Sequence, residues 1–540
     1  MLKFTLLKNT SLFYVTLVTL LLILPSTISA QAPNLGSVAS FVLFSSNGAV
    51  TNSGSSNITG NVGTNNGSST AFGNVNGIMH DNDGASALCS SDLLIAYNQL
   101  DAATPTFFPA QLLGNGQTLN AGIYAISGNA ALNLELQLDG QNNANAVFII
   151  QIDGALSANA GSKVTLINGA LACNVFWKVE GLVSLATGST MRGTVIANNA
   201  AITMGSGVEL EGRALSTTGA VTLNGVLAYL PTGCGSPYLT GPLTPDLGSA
   251  ACYALFSTNG SVSNTGTTIV TGDIGTNTGS VTGYSAANVT GTIHLIPDAS
   301  TALASNDLLA AYNYIHTLPT DIELLYPAQF GNGLVLTPHT YLMNGAATFT
   351  DTVFLNAEGN SNAIFVIKIN GAMNAATYSK VALINGAQAT NVYWKVEGAV
   401  NLYAYSEFAG TIISNNGAIS GLNTGTELDG RALTTNGALN TTAITADMGP
   451  ACAIAGMDEN SDLPSVVAYP NPFGDSFTLS LSETGNYSVS LLDGLGRTVF
   501  HSEFTQTNLI SIEPQTTLPQ GTYLLKIESA SGTKILKMIR

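Results

Sequence analysis

The sequence predicts a mainly β protein, built as two tandem β-solenoid domains with one long α-helix each, followed by a small C-terminal β-sandwich. Three observations predict it. A large block is duplicated: Asn174-Val175-Phe176-Trp177-Lys178-Val179-Glu180-Gly181 returns as Asn391-Val392-Tyr393-Trp394-Lys395-Val396-Glu397-Gly398. Within each block, short apolar alternations broken by Gly and Asn recur about every 19 residues, as at Ser184, Thr203 and Thr222. The chain is also poor in charge. Charged residues make up 9% of it, against roughly 25% in an ordinary globular protein. With 15 Lys+Arg and 32 Asp+Glu, the net charge is −17. No basic patch is available to neutralise phosphates, so no nucleic-acid partner is expected. The 45% hydrophobic fraction argues against disorder.

Residues 1–30 read as an export signal. Lys3 and Lys8 give a short basic start, residues 12–24 are apolar and uncharged, and Ser29-Ala30 precede Gln31. The run is short for a membrane span of ~20 residues. The mature chain is therefore expected to be soluble and extracytoplasmic.

Residues 35–234 and 247–452 are the two copies. One coil cannot bury its apolar face alone, so coils must stack, at ~4.8 Å per rung. Alternation points Val183, Leu185, Met191 and Val195 inward, then Ile202, Met204, Val208, Leu210 and Ala214 of the next coil. Residues 84–103 and 299–317 have helical spacing. Their expected apolar sides are Leu93, Leu94, Tyr97 and Leu100, and Leu308, Leu309, Tyr312 and Ile315. Such a stripe must be covered. The outward apolar residues of the third strand, Ile196 and Leu215, are the natural partners, which leaves the first two faces of each solenoid open.

The first-strand face is the informative one. In the first copy it presents Thr51, Ser157, Ser184, Thr203 and Thr222; in the second, Ser263, Asn374, Asn401, Ser420 and Asn440. None is charged. A flat ladder of small groups and hydroxyls at fixed spacing can order water without imposing a hydration shell, and the rung spacing is close to a repeat distance in ice. The plainer reading is that Thr and Ser suit an exposed strand. The second-strand face carries Lys163, Arg192 and Glu209, and in the second copy Tyr378, Lys380, Tyr405 and Glu407, which makes it a poor template for water.

Catalytic readings fare worse. There is no nucleophile elbow, HExxH or Walker loop, and no grouped carboxylates to flank a glycosidic bond. Glu180 and Glu397 read as turn carboxylates. Glu211 with Arg213, and Asp429 with Arg431, read as local ion pairs. His80 and His294 read as turn histidines, Trp177 and Trp394 as core. No enzyme activity, cofactor or metal is expected. Cys89 and Cys173 have no counterparts in the second copy, where Ala304 and Thr390 stand, which suggests a Cys89–Cys173 bridge. Cys252 and Cys452, at the two ends of the second copy, suggest another, leaving Cys234 unpaired.

Residues 463–540 change character: Lys and Arg return and strands alternate cleanly. Tyr469-Pro470-Asn471-Pro472-Phe473, the run 491–497, the run 518–527 and the basic end 534–540 together resemble the type A C-terminal sorting domain of the type IX secretion system. The resemblance implies a secretion-machinery partner and passage across an outer membrane, to a secreted or cell-surface location. The two copies resemble the ice-binding domain family known as DUF3494. The resemblance rests on residues 167–177, on residues 270–277 and on Thr187-Gly188-Ser189-Thr190. It implies a discontinuous right-handed solenoid flanked by a helix, with an ice surface as partner. The family's Thr-Ala/Gly-x-Thr/Asn pattern adds Thr187, Thr190, Thr265 and Thr268 as candidates, beside or at the start of the second strand. The absence of charge ranks the first-strand ladder above the second strand. The chain is expected to be monomeric and the first copy to be the stronger binder. The alternative is a non-catalytic surface adhesin of the same architecture, binding glycan or cells.

Overall fold

The computed structural model describes residues 30–233, 239–296, 298–449, 466–493, 497–514, 518–529 and 532–540. The expected export signal, apart from Ala30, lies outside them, as do Cys234 and Cys452. The chain divides into two compact units, Met1–Gly449 and Pro450–Arg540.

In the first copy the coils do not stack in chain order. The strand Phe41–Ser45 runs parallel between Glu209–Ser216 and Asn61–Thr64, so the earliest coils sit on the end of the latest ones. The remaining coils start at Leu112–Gly114, at the opposite edge of the stack. Helix α1, Gly84–Asp101, carries the chain between the two ends. At ~1.5 Å per residue it covers about 27 Å, most of the height of eight rungs at ~4.8 Å each. The second copy repeats the arrangement. Tyr253–Asn259 lies between Glu427–Thr434 and Asp273–Thr278, and helix α2 is Ala299–Thr317. Each copy has an eight-stranded parallel sheet on the first face, and a larger parallel sheet that wraps the other faces.

The period-2 alternation sorts side chains as expected. Val183, Leu185, Met191, Val195, Ile202, Met204, Val208, Leu210 and Ala214 all join one core that runs the length of the first solenoid. Trp177 and Trp394 are fully buried, and their indole N–H groups donate to the carbonyls of Arg192 (3.0 Å) and Ala409 (2.9 Å). Each is thus satisfied as well as packed. The corner between second and third strands is made by glycines in register. A Cβ on Gly212 (φ 156°) would lie 1.9 Å from the Gly193 carbonyl oxygen, so only glycine lets the rungs close there. That corner also separates Glu211 from Arg213, contrary to the expected ion pair. Glu211 pairs with Arg192 (3.3 Å), whereas Arg213 is buried and donates to the Ala39 carbonyl (2.7 Å). In the second copy Arg431 likewise donates to the Ala251 carbonyl, at 2.8 Å.

Both helices lie on the third face, where Ile196 and Leu215 meet Leu93, Ala96 and Leu100 together with Phe41, Phe44 and Phe176. The buried stripe differs from the expected one. Leu94 and Leu309 are half exposed, and the small residues Cys89, Ala96, Ala304 and Ala311 take the inner positions instead. Small residues let the helix axis approach the sheet. Tyr97 and Tyr312 sit at the edge of the stripe, where their hydroxyls donate to Glu180 (2.5 Å) and Glu397 (2.6 Å). Buried Lys178 bonds Glu180 at 2.8 Å, and Lys395 bonds Glu397. The two repeated glutamates therefore clamp helix to sheet, a larger role than a turn carboxylate. Asp83 caps α1 by accepting from the Ser86 amide (2.8 Å), and Asp298 caps α2 through the Ser300 amide (2.7 Å).

Cys89 overturns one expected bridge. It is a free thiol at the centre of the helix–sheet core, and burial pushes its pKa up. Cys173 is disulfide-bonded, and its sulfur lies 3.7 Å from the Thr232 carbonyl at the end of the first solenoid. Cys252 is disulfide-bonded as well.

In the second unit five antiparallel strands form one sheet around their own core. They are Val466–Tyr469, Phe477–Leu492, Thr498–Ile512, Thr522–Ser529 and Gly532–Ile539. Phe473, Phe477, Tyr487 and Tyr523 fill that core, and Arg540 pairs with Asp475 at 2.7 Å.

Candidate functional site

On the first-strand face the rung order follows space rather than sequence. From one edge it runs Ser69–Thr70, Val50–Ser53, Val221–Asn224, Ile202–Met204, Val183–Leu185, Leu156–Ala158, Ala130–Asn133 and Leu112–Gly114. Register aligns the outward side chains into one line. Thr70 is beside Thr51, Thr51 beside Thr222, Thr222 beside Thr203, Thr203 beside Ser184, and Ser184 beside Ser157. Ala131 and Leu112 continue it. The N-terminal insertion thus places Thr51 between two threonines from distant parts of the chain and makes four threonines consecutive. Chain order hides this. Thr70 and Ala131 were not among the expected residues: Thr70, one 19-residue step after Thr51, sits on a two-residue strand too short to show alternation, and Ala131 carries no hydroxyl.

The flanking outward positions are small. Ala49, Ala220, Ala201 and Ala155 precede the line, with Leu182 the larger exception. Along the line the hydroxyls are little used by the protein itself. Among the described residues, the one side-chain bond between rungs is Thr70 to Thr51 (3.3 Å), and Thr203 makes a long contact (3.4 Å) to the Val183 carbonyl. Their hydrogen-bonding capacity therefore faces water.

The second copy has the same face with different chemistry. Thr282, Ser263 and Asn440 are in register, as are Asn401, Asn374 and Thr348. Between these runs a β-bulge at Ser420-Gly421 shifts the register, with Asn401 opposite Gly421. The amides also consume one another. Asn401 donates to Asn374 (2.9 Å), Ser420 to Asn401 (3.1 Å) and Ser263 to Asn440 (2.7 Å). This ladder is uncharged but kinked, and partly satisfied from within. Thr282 and Thr348 were also missed by sequence reasoning: Thr282 keeps the 19-residue step from Ser263 but sits on a two-residue strand, and Thr348 lies 26 residues before Asn374, off that step.

The second-strand face is ionic. Arg192 bonds Glu209 (2.7 Å), Tyr229 donates to Glu209 (3.0 Å), and Lys163 faces Glu135 at 3.7 Å. Burial raises the pKa of Glu211, next to this cluster. In the second copy Lys380 pairs with Glu407, while Tyr378 and Tyr405 stack with ring centroids 5.3 Å apart and stand exposed. Of the turn candidates, Thr187 is exposed and Thr190 half-buried at the start of the charged strand. Thr265 is exposed but bonded to Thr442 (3.1 Å). Thr268 is corrected outright: it is buried, donates to Asn264 (2.6 Å) and accepts from the Ile444 amide (3.2 Å), so it holds a corner and cannot touch a surface.

Among the described residues, no group of three or more His, Cys, Asp or Glu is placed to hold a metal ion, and no helix is long and apolar enough to cross a membrane. His294, between Asp298 (2.7 Å) and Asp273 (3.2 Å), ties the α2 cap to the sheet.

The ice-binding-like family model matches residues 44–227 and 256–445, and the secretion system C-terminal sorting domain model matches residues 467–540. An ice-binding protein of Nostoc sp. (strain HG1) is 35% identical over 200 residues, 36% of this chain and 73% of its own. One of Colwellia sp is 31% identical over 213 residues, 37% of this chain and 82% of its own. The crystal structure of an ice binding protein from an Antarctic bacterium of the Flavobacteriaceae is 59% identical. It superposes with a TM-score of 0.77, covering 78% of this chain and all (100%) of that one.

Proposed function

The chain belongs to the ice-binding-like family, and from that premise we propose that the first copy's threonine ladder is its principal ice-contacting face. The protein binds ice, and its sorting domain takes it out of the cell. The observation that carries the choice of face is the unbroken line Thr70, Thr51, Thr222, Thr203 on a rigid parallel sheet, uncharged and with its hydroxyls turned to water. A rigid backbone fixes the rung spacing, so water held by one hydroxyl is placed correctly for the next. The bound layer then joins the lattice without having to be reordered. Charged groups on the second face would hold their own hydration shells, which match no lattice.

Adsorption is the whole activity in this reading, and no bond is made or broken. Adsorbed molecules pin the crystal front, which bulges between them, and curvature lowers its local freezing point. Growth and recrystallisation slow. The second ladder acts in the same way but more weakly, because its bulge breaks the line and its amides bond one another. The chain works as a monomer. Ice-affinity partitioning of the full chain and of Thr203→Tyr tests the face directly. The wild type should enter the ice, and the variant should be largely excluded from it. Binding to glycan with no uptake into ice would instead favour an adhesin.

A further inference from the structure

The two solenoids meet end to end, and the contact is specific. The first copy's edge is the strand Ser69–Thr70 and the segment after it; the second copy's edge is Phe330–Gly331. Asn74 of the first copy donates to the carbonyls of Tyr326 (3.0 Å) and Gln329 (3.3 Å) and accepts from the Tyr326 amide (2.9 Å). Asn76, 3% exposed, donates to the Thr337 hydroxyl (3.0 Å) and accepts from the Tyr341 hydroxyl (2.7 Å), and Tyr341 is fully buried. A buried side-chain amide satisfied on both of its ends fixes orientation as well as distance.

The contacts also match part to part. The first copy's turn between first and second faces, at residues 54–57, lines the same cavity as Gly331, Asn332 and Leu334 of the corresponding turn of the second copy. The second-face strand Asn57–Thr59 packs beside the second-face strand Val335–Leu336, with Gly333 against Asn57. Asn74, which follows the last first-face rung of one copy, grips the residues just ahead of the first such rung of the other. Like faces therefore adjoin like faces.

From this matching we infer that the two eight-stranded sheets act as one composite ice-contacting plane, held in phase by Asn74, Asn76, Thr337 and Tyr341. The inference rests on the ice-binding reading above and deepens it. Two copies on a flexible tether gain only effective concentration. Two copies locked in phase present one longer lattice-matched surface that adsorbs as a unit, so the weaker second ladder adds to the stronger first one without a separate ordering cost. Thr70 thereby stands at the middle of the plane.

The test uses the full chain. Asn76→Ala with Tyr341→Phe opens the lock, and Asn57→Trp wedges the same junction from outside the core. Hydrogen exchange at the Tyr326 amide, which donates to Asn74 across this contact, reports whether it has opened. Each unlocked variant should still be taken up by ice, but with thermal hysteresis reduced by ~2-fold or more. It should fall to the level of Asn401→Tyr, which blocks the second ladder, and adding Asn401→Tyr to an unlocked variant should change nothing further. Unlocked chains with wild-type hysteresis would overturn the composite plane while leaving ice binding intact. A wild-type chain excluded from ice would instead overturn the reading beneath it.

Discussion

Thr222 is the position at which the proposed face is most exposed to attack by mutation. It sits in register with Thr51 on one side and Thr203 on the other. Rungs are ~4.8 Å apart. A tyrosine there stands its ring off the plane and holds flat ice away from its own rung and both neighbours, three of the eight rungs. Each hydroxyl bonded to ordered water contributes about 0.5–1.5 kcal/mol net, so roughly 1.5–4.5 kcal/mol of adsorption is lost. That corresponds to a residence time shorter by ~10-fold to ~1000-fold. Folding should hardly change, because Thr222 is half-buried with its side chain outward and tyrosine suits a strand; surface changes usually fall within about 0.5 kcal/mol. The assay is thermal hysteresis against concentration, with thermal unfolding as the control and Thr190→Tyr as the matched change on the second face. Thr222→Tyr should abolish most of the activity, and Thr190→Tyr little. A folded Thr222→Tyr with full hysteresis, beside an inactive Thr190→Tyr, would refute the choice of face.

Asn401→Tyr should cost less hysteresis than Thr203→Tyr, since it blocks the ladder already broken at Ser420-Gly421; equal losses in the two variants would contradict the ranking of the copies. Because the first-copy ladder carries no titrating group, hysteresis should stay flat from about pH 5 to about pH 9, and a steep change would implicate the ionic second face. Hydrogen bonds from His294 and Ser300 hold Asp298 below its ordinary 3.8, at about 2. A depressed carboxylate stabilises the fold above its unfolded value and loses that contribution as it protonates. Protection of the first-turn amides of α2, taken relative to the intrinsic exchange rate at each pH, should accordingly fall as pH drops from 3.8 towards about 2. Under denaturing, non-reducing conditions one thiol should react, and peptide mapping should place it at Cys89; a Cys89–Cys173 linked peptide would contradict the buried free thiol.

Much of this was legible in the sequence, for physical reasons. Parallel coils repeat their own length, so the spacing of Ser184, Thr203 and Thr222 reported the stack. Alternation reported the inside of every long rung, as Ile202 and Met204 illustrate. What stayed hidden depends on neighbours that chain order does not give. The insertion of Val50–Ser53 beside Val221–Asn224 is a three-dimensional event, so the run of four threonines could not be read from the period. Rungs as short as Ser69–Thr70 and Val281–Thr282 keep the 19-residue step from Thr51 and Ser263 but are too short to show alternation. Thr268 matched an ice-face pattern, yet Asn264 and the Ile444 amide claim its hydroxyl, and local sequence does not show a partner so distant in the chain. On α1, counting apolar residues favoured Leu94, whereas close packing on Phe41 and Ile196 selected Cys89 and Ala96. The Cys89–Cys173 pairing failed for the same reason: Cys89 faces that core, and Cys173 faces the end of the solenoid.

The central claim is that a rigid, uncharged lattice of rungs adsorbs to frozen water. It is tested most directly by growing a single ice crystal in a solution of fluorescently labelled full-length chain. The label should accumulate on the crystal face and be engulfed as the front advances, and Thr203→Tyr should weaken this uptake. If the wild-type label is instead driven ahead of the front and concentrates in the last liquid, the protein does not hold ice and the account fails.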